Sequence, residues 1–582
     1  MKIPVNNINI LWSALIVEEL IRHGIDYFCL SPGSRSTPLT TAAARNPGAN
    51  KIVIYDERSA AYHALGYARA TGKPAALICT SGTAPANYLP AVIEASQENI
   101  PLIILSADRP PELRDSGANQ TIDQVKLFGN YVRWFFDLPT PTADIAPNFV
   151  LERTDRLLHK ALGFPPGPVH LNCMFREPLA PENHPLPENY LRGISEWLNS
   201  EQPQTKTERV RRQPELGFLN EIKTILTNTR NGLVVVGGLP PSADKAVIRR
   251  CLNTLGWPVL ADITSGLRLG HDWQGFVPHL DLLLTDETLH FDTVLHLGDR
   301  FVSKRLMQHL QKNKPQKYIR VSGSDQWIDE TRSVTRLLPV ETDVFCGILQ
   351  EALPAGGASP LGRELRRRSD QLEDWLKQNI DPGTLNQPAV SRILAEEIPE
   401  GHGLFLANSL AVREADIFAQ RLTGPVFAAA NRGASGIDGN ISTAAGLAAG
   451  LHKPVTLLIG DLAFLHDLSA LSLLPRLQHP LIIVLINNGG GGIFHWLPVA
   501  QFEDIFENYF ATPHDFTFEP TARQFGLDYR QPHTSDELRG AYRQALKSAS
   551  HSLIEIRTDR RANAQLYRTV VQTVHQQFGA KR

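Results

Sequence analysis

The sequence predicts three doubly wound, parallel-sheet α/β domains. Three observations carry that prediction. Short apolar runs of strand length alternate with helical stretches through most of the chain. A chain of 582 residues exceeds what one hydrophobic core organises. Two stretches rich in proline or glycine, Glu177 to Glu215 and Pro354 to Pro360, break the alternation and read as linkers. The expected domains are residues 1–190, 205–355 and 380–582.

In the first domain, Leu11 to His23 reads as a helix closed by Gly24, followed by a strand Tyr27-Phe28-Cys29-Leu30 that breaks at Ser31-Pro32-Gly33-Ser34-Arg35. Ile52 to Tyr55 is a second strand, ending at Asp56-Glu57-Arg58, with an alanine-rich helix from Ser59 to Ala70 behind it. Ala75 to Cys79 is a strand, Thr80 to Thr83 a turn, and a helix runs on to Ala95. Pro101 to Ser106 is the next strand, ending at Ala107-Asp108-Arg109. The second domain opens on Leu233 to Val236 and the turn Gly237-Gly238, and continues through Val259 to Asp262 and Thr293 to Gly298. That turn lacks the rest of a dinucleotide fingerprint and reads as structural.

The third domain holds the stretch with the clearest chemistry. Pro454 to Ile459 is a buried strand that stops at Gly460-Asp461; Leu481 to Ile486 is another, stopping at Asn487-Asn488 and the loop Gly489 to Gly492. A helical spacing of Phe464, Leu465, Leu468 and Leu471, with Asp467 suited to a helix N-terminus, lies between them. Strand, helix, strand forms a right-handed crossover, so both strand ends open on one sheet edge. A carboxylate, an amide oxygen, loop carbonyls and a helix N-terminus on that edge suit a magnesium ion carrying a diphosphate.

Composition is that of an ordinary globular chain. A formal net charge of −2 argues against a nucleic acid or a membrane surface as partner. Five scattered cysteines without a CxxC pair read as reduced thiols, free of disulfides and zinc. The N-terminus has no signal-peptide pattern and no apolar run approaches the roughly 20 residues that span a bilayer, so a cytoplasmic protein is expected.

The Gly460-Asp461 and Asn487-Asn488 pairs resemble the thiamine-diphosphate signature, with Leu462 where glycine is usual. Together with Glu57 and the three α/β units, they resemble the thiamine-diphosphate decarboxylase/carboligase superfamily. Ser31 to Pro38, Ala107 to Leu113, Gly117-Ala118-Asn119-Gln120 and Asn431 to Gly439 narrow the resemblance to its menaquinone-pathway branch. The resemblance implies a thiamine-diphosphate-binding fold of pyrimidine-binding, central and diphosphate-binding domains. It implies thiamine diphosphate and Mg2+ (or Mn2+) as cofactors, with Asp461, Asn488 and the Gly490 carbonyl as metal ligands. Glu57 is implied as the acid sharing a proton with the cofactor's pyrimidine ring, and Ile437 as the apolar prop beneath it. Gly436, Leu462, Ala463, Ile493 and Phe494 complete the implied cofactor contacts.

The implied substrates, 2-oxoglutarate and isochorismate, carry two carboxylates each. Arg35, Arg109, Arg413 and Arg432, near Ser34, Asn119, Gln120 and Ser409, suit a cleft for such anions, because guanidinium binds carboxylate through two parallel hydrogen bonds. Lys304 and Arg305 resemble a further contact from the central domain. Which arginine meets which carboxylate stays open. The implied reaction is decarboxylation of 2-oxoglutarate and conjugate addition of the remaining unit to isochorismate, without flavin, in a homodimer or homotetramer with active sites at the subunit interface. The alternatives are another 2-oxoacid decarboxylase or acetohydroxyacid-synthase-like carboligase, a nucleotide- or flavin-dependent oxidoreductase using Gly237-Gly238, and a non-catalytic binding protein.

Overall fold

A computed structural model describes residues 7–208, 210–353, 356–380, 383, 385–421 and 424–579. It contains three all-parallel sheets, as predicted. The first comprises β1 (Tyr27–Leu30), β2 (Asn50–Val53), β3 (Ala76–Cys79), β4 (Ile103–Asp108), β5 (Trp134–Leu138) and β6 (Val169–Met174), in the order 2-1-3-4-6-5. The second comprises β7 (Gly232–Val236), β8 (Val259–Ala261), β9 (Thr293–Leu297), β10 (Lys317–Val321) and β11 (Arg336–Leu338), in the order 11-10-9-7-8. The third comprises β12 (Gly403–Leu406), β13 (Phe427–Ala429), β14 (Val455–Gly460), β15 (Leu481–Asn487), β16 (Asp528–Arg530) and β17 (Ser552–Arg557), in the order 13-12-14-15-17-16.

The chain forms two compact units. One holds Met1–Val210, Arg432–His452 and Asp467–Gln478; the other holds Arg211–Asn431, Lys453–His466 and His479–Arg582. The first unit therefore contains the first sheet, and the second contains the other two. Strand side chains alternate between faces, and both faces of a parallel sheet are covered. In β7, Val234 and Val236 join one buried cluster with Leu295 and Ile319, while Leu233 and Val235 join another with Val294, Leu306 and Leu372. The first unit is centred on Trp12, Leu15, Phe28, Leu105 and Leu171.

Four local expectations change. The helix after β2 begins at Glu57 rather than Ser59, because Asp56 is the cap: its carboxylate accepts from the Arg58 N–H (2.9 Å) and the Ser59 N–H (3.3 Å). The helix expected from Thr83 to Ala95 is two, Thr83–Ala86 and Leu89–Gln97, parted near Pro90, whose ring cannot continue a helix interior. The first linker is partly structured: the turns Tyr190–Ile194 and Ser195–Leu198 bury Tyr190 and Trp197, and the Trp12 indole donates to the Tyr190 hydroxyl at 2.8 Å. In the second linker, Pro354 and Ala355 lie outside the described residues. Asp467 caps no helix of its own. It is fully buried and accepts from the Ser442 N–H (2.8 Å), serving the first turn of the helix Asn440–Leu451 instead.

All five cysteines are buried, and none is paired among the described residues. Among those residues no helix is long and apolar enough to cross a membrane.

Candidate active site

In the second unit, β14 and β15 are parallel neighbours whose paired residues run from Val455 with Leu481 to Gly460 with Ile486. Their C-terminal ends therefore lie side by side. Asp461 follows β14 and opens the short helix Asp461–His466. Its buried carboxylate ties the two strand ends together, because Oδ2 accepts from the Asn488 N–H (3.1 Å) and the Gly490 N–H (3.0 Å), while Oδ1 accepts from the Leu462 N–H (2.7 Å). Burial pushes the Asp461 carboxyl above the usual carboxylate range, against the pull of the Gly490 and Leu462 N–H groups and of His514. The neighbouring asparagines have different tasks. The Asn487 side chain donates to Glu555 (2.7 Å) and to the Phe516 carbonyl (2.9 Å), whereas the Asn488 Oδ1 is buried without a hydrogen-bond partner among the described residues.

Gly490 has φ +139°, and a Cβ there would lie 2.3 Å from the Ala511 carbonyl oxygen, so only glycine fits. Its own carbonyl accepts from the Gly492 N–H at 2.9 Å. Beyond the loop, Phe494 meets Phe510 edge-on, with ring centroids 5.7 Å apart; Ile493 and Leu462 are half-buried and Ala463 is buried.

In the first unit, Glu57 is half-buried at the first position of its helix. Burial raises its carboxyl above the usual range; its place at the helix N-terminus opposes this and neighbouring Asp56 adds to it. Arg35 and Arg109 are both buried. Arg35 donates to the Phe175 carbonyl (2.9 Å) and pairs with the largely exposed Glu177 (3.2 Å). Arg109 donates to the Ser81 hydroxyl. Burial lowers the Arg109 pKa, and the nearby charge of Arg35 lowers it further. Asp108 anchors the turn carrying Arg109: it accepts from the Arg109 N–H (2.7 Å), Asn172 (2.9 Å) and Arg114 (2.9 Å). Gln120, at φ +56°, donates to the Ser81 carbonyl (3.2 Å), which brings it to the same edge; Asn119 and Ser34 are exposed.

The loop Gly433 to Gly439, also in the first unit, is held at both ends. Glu94 accepts from the Gly433 N–H (2.7 Å) and the Ala434 N–H (2.6 Å), and Tyr62 donates to Asp438 (2.7 Å). Asn440 donates to the Ile437 carbonyl (2.7 Å), and the Ile437 side chain is 36% exposed although branched and apolar. Half-buried Gly436 lies in the same loop; Arg432 precedes it, its N–H donating to Glu98 (3.1 Å). In the second unit, Ser409 sits at φ +71° ahead of the helix Leu410–Phe418, and Arg413 on that helix donates to the Ser409 carbonyl (2.6 Å). Lys304 is exposed at the start of the helix Lys304–Lys312, while Arg305 is engaged by Asp281 and by the Tyr567 hydroxyl (2.7 Å).

Residues 12–127 match the family described as thiamine pyrophosphate enzyme, N-terminal TPP binding domain; residues 188–406 match the middle domain of thiamine pyrophosphate, and residues 419–556 the C-terminal TPP binding domain. A protein of Chlorobium phaeobacteroides named 2-succinyl-5-enolpyruvyl-6-hydroxy-3-cyclohexene-1-carboxylate synthase is 44% identical over 566 residues, 97% of each chain. Proteins of the same name from Rubrobacter xylanophilus (44% identical; 97% of this chain and 98% of the relative) and Salinibacter ruber (43%; 96% and 95%) are similar throughout. The chain belongs to the thiamine pyrophosphate enzymes.

As a member of that family it is a thiamine-diphosphate-dependent enzyme, and its residues suit the cofactor. The orphaned Asn488 oxygen and the neighbouring Asp461 carboxylate offer the oxygen donors that suit a hard divalent cation, and the positive φ and the Ala511 backbone packed against Gly490 fix the loop that follows them. Two nearby groups are absent from the sequence expectations. The His514 Nε2 lies 3.3 Å from Asp461 Oδ2, and Arg560 donates to the Gly489 carbonyl (3.1 Å) while pairing with Glu507 (2.6 Å). Neither carries a sequence signal: both lie far along the chain from the strand ends they serve.

Proposed function

We propose that the protein decarboxylates 2-oxoglutarate and adds the remaining four-carbon unit to isochorismate, giving 2-succinyl-5-enolpyruvyl-6-hydroxy-3-cyclohexene-1-carboxylate and carbon dioxide in menaquinone biosynthesis. What carries this reading is the near-full-length similarity to relatives bearing that name. The geometry supports it through Arg35 and Arg109, two buried guanidinium groups close enough to oppose each other's charge. Such a pair is stabilised by a ligand bringing carboxylates.

In this reading residues 1–190, 205–355 and 380–582 are the pyrimidine-binding, central and diphosphate-binding domains. Asp461, the Asn488 side-chain oxygen and the Gly490 carbonyl would hold Mg2+ or Mn2+, whose charge would offset that of the diphosphate. Leu462, Ala463, Gly436, Ile493 and Phe494 line the cofactor, and Ile437 props it from its anchored loop. When bound, thiamine diphosphate supplies the electron sink that lets a 2-oxoacid lose carbon dioxide. Glu57 holds and shares a proton with the pyrimidine ring, a task suited to a carboxyl of raised pKa. Ser34, Arg35, Arg109, Asn119, Gln120, Ser409, Arg413 and Arg432 orient the substrate carboxylates, with Lys304 and Arg305 as a further contact. The enzyme is cytoplasmic and works as a homodimer or homotetramer, Glu57 of one protomer facing Asp461 of its partner.

The test is an assay of purified protein with thiamine diphosphate, Mg2+, 2-oxoglutarate and isochorismate, following carbon dioxide release and isochorismate loss together. Equal rates of both are expected. Release of carbon dioxide from pyruvate in preference, with isochorismate untouched, would move the chain to the simpler decarboxylases and carboligases.

A further inference from the structure

A cavity of about 350 Å³ opens in the second unit, among the loops that follow β7 and β8 and the start of β13. Leu239, Leu267, Val426 and Phe427 give it apolar walls. Lys245, Arg249 and His271 also line it. Lys245 and Arg249 stand one turn apart on the helix Lys245–Leu255, on the same face. The Arg249 guanidinium, which can only donate, bonds the His271 Nδ1 at 3.0 Å, so that ring keeps its proton on Nε2 as a further donor. Gly266, at φ +68°, leaves room for the lysine stem: a Cβ there would lie 2.4 Å from the Lys245 Cε.

None of the described residues lining the cavity carries a carboxylate. Two acids of the same loops are engaged elsewhere. Asp244 caps the helix, accepting from the Ala246 N–H (2.9 Å) and the Val247 N–H (3.0 Å), and Asp262 accepts from the Thr264 hydroxyl (2.6 Å) and the Val302 N–H (2.5 Å). Because Asp244 already occupies those helix N–H groups, ligand recognition would fall to the side chains.

We propose that this cavity binds a small organic anion, one carboxylate or phosphoryl head on an apolar body about the size of an aromatic ring. Lys245, Arg249 and the His271 Nε2–H meet the head, while Leu239, Leu267, Val426 and Phe427 enclose the body. Burial lowers the Lys245 pKa, and burial with the Arg249 and Lys245 charges lowers that of His271; no carboxylate stands among the described lining residues to offset these bases. The Gly237-Gly238 turn is not part of this recognition. A Cβ at Gly237 would lie 2.2 Å from the Asp299 carbonyl oxygen, and packing alone accounts for the glycine. The site shares no residue with the proposed catalytic machinery and stands independently of the proposed reaction.

The test is calorimetric titration of the full chain, loaded with thiamine diphosphate and Mg2+, with phenyl phosphate, benzoate, inorganic phosphate and benzyl alcohol. Phenyl phosphate and benzoate are expected to saturate at a site that Lys245→Gln/Arg249→Gln weakens about a hundredfold and Lys245→Gln alone about tenfold, since each charged contact is worth roughly a decade or more in affinity. Turnover should be unchanged in both variants. The single variant covers the case in which the double one does not fold. No saturable binding of either organic anion, or binding that survives both substitutions, overturns the proposal. Inorganic phosphate binding as tightly as phenyl phosphate, or benzyl alcohol as tightly as benzoate, removes the body or the head from it.

Discussion

Glu57 and Asp461 are both acids at the starts of helices, yet they meet opposite demands. In the proposed reaction Glu57 keeps a proton within reach, whereas Asp461 gives its proton up to a cation. Glu57→Gln retains shape and removes the titration, so carbon dioxide release should fall about a hundredfold or more while cofactor affinity persists. Turnover near the parent rate, read beside cofactor binding by fluorescence, would remove Glu57 from proton sharing. Asp461→Ala removes the proposed oxygen ligand and the clasp on the Asn488 and Gly490 N–H groups. Titration with thiamine diphosphate, with and without Mg2+, should show severe weakening and no metal dependence; unchanged metal-dependent affinity would refute the ligand assignment. Both acids are readable in the sequence because each follows a short apolar run and a helical stretch follows it. The different tasks of Asn487 and Asn488 are not, since one loop motif carries both and only the fold shows which oxygen is left over. His514 is likewise invisible, reaching Asp461 from an irregular stretch without periodicity.

At the level of elements, the helices Glu57–Thr71 and Asn440–Leu451 cross within the first unit at two glycines. A Cβ on Gly66 would lie 2.0 Å from the Thr443 carbonyl oxygen, and one on Gly446 would lie 1.9 Å from the His63 carbonyl oxygen. Alanine is the better helix former by about 1 kcal/mol. Overpacking against a backbone that cannot step aside costs about 3 kcal/mol, so it prevails. Gly446→Ala should therefore lower the denaturant midpoint clearly; a raised midpoint would show that the helices can part without penalty. The alanine-rich composition of Ser59 to Ala70 announces a helix, but not that its small residues serve a close crossing. That purpose depends on a second helix hundreds of residues away. Strand β5, whose Trp134, Phe135 and Phe136 are only half-buried, and the ordered turns within Glu177 to Glu215 escape the sequence for a related reason: their burial is set by tertiary partners.

Over the whole molecule, buried titratable groups set how stability follows pH. Burial lowers His63, His170 and His296 to about 3 from 6.5. Below pH 6.5 the unfolded chain takes up protons that the folded chain refuses, so each imidazole removes about 1.4 kcal/mol per pH unit as the solution is acidified. Burial acts the other way on acids: Glu94 and Asp467 rise to about 7 and Glu414 to about 8. Between pH 8 and the ordinary carboxylate range the folded chain keeps protons that the unfolded chain releases, which stabilises it as pH falls. The two sets oppose each other between 6.5 and 4.5. The thermal midpoint should climb from pH 8 to about 6.5, level off, and drop below about 4; calorimetry showing a steady decline from pH 8 downward would contradict this. Three sheets of parallel strands were legible from apolar runs and breaks. The partition into two units was not, because the first unit recruits Arg432–His452 and Asp467–Gln478 from the chain's last third.

That recruitment bears on how the protein is made. A ribosome delivers the first sheet well before the helix Asn440–Leu451 that its own unit closes around, so the nascent amino-terminal portion waits with an alanine-lined face bare. An excised piece ending near residue 430 keeps that face uncovered and should accumulate as inclusion bodies. Translation through residue 478 is the earliest point at which the amino-terminal unit has all its parts.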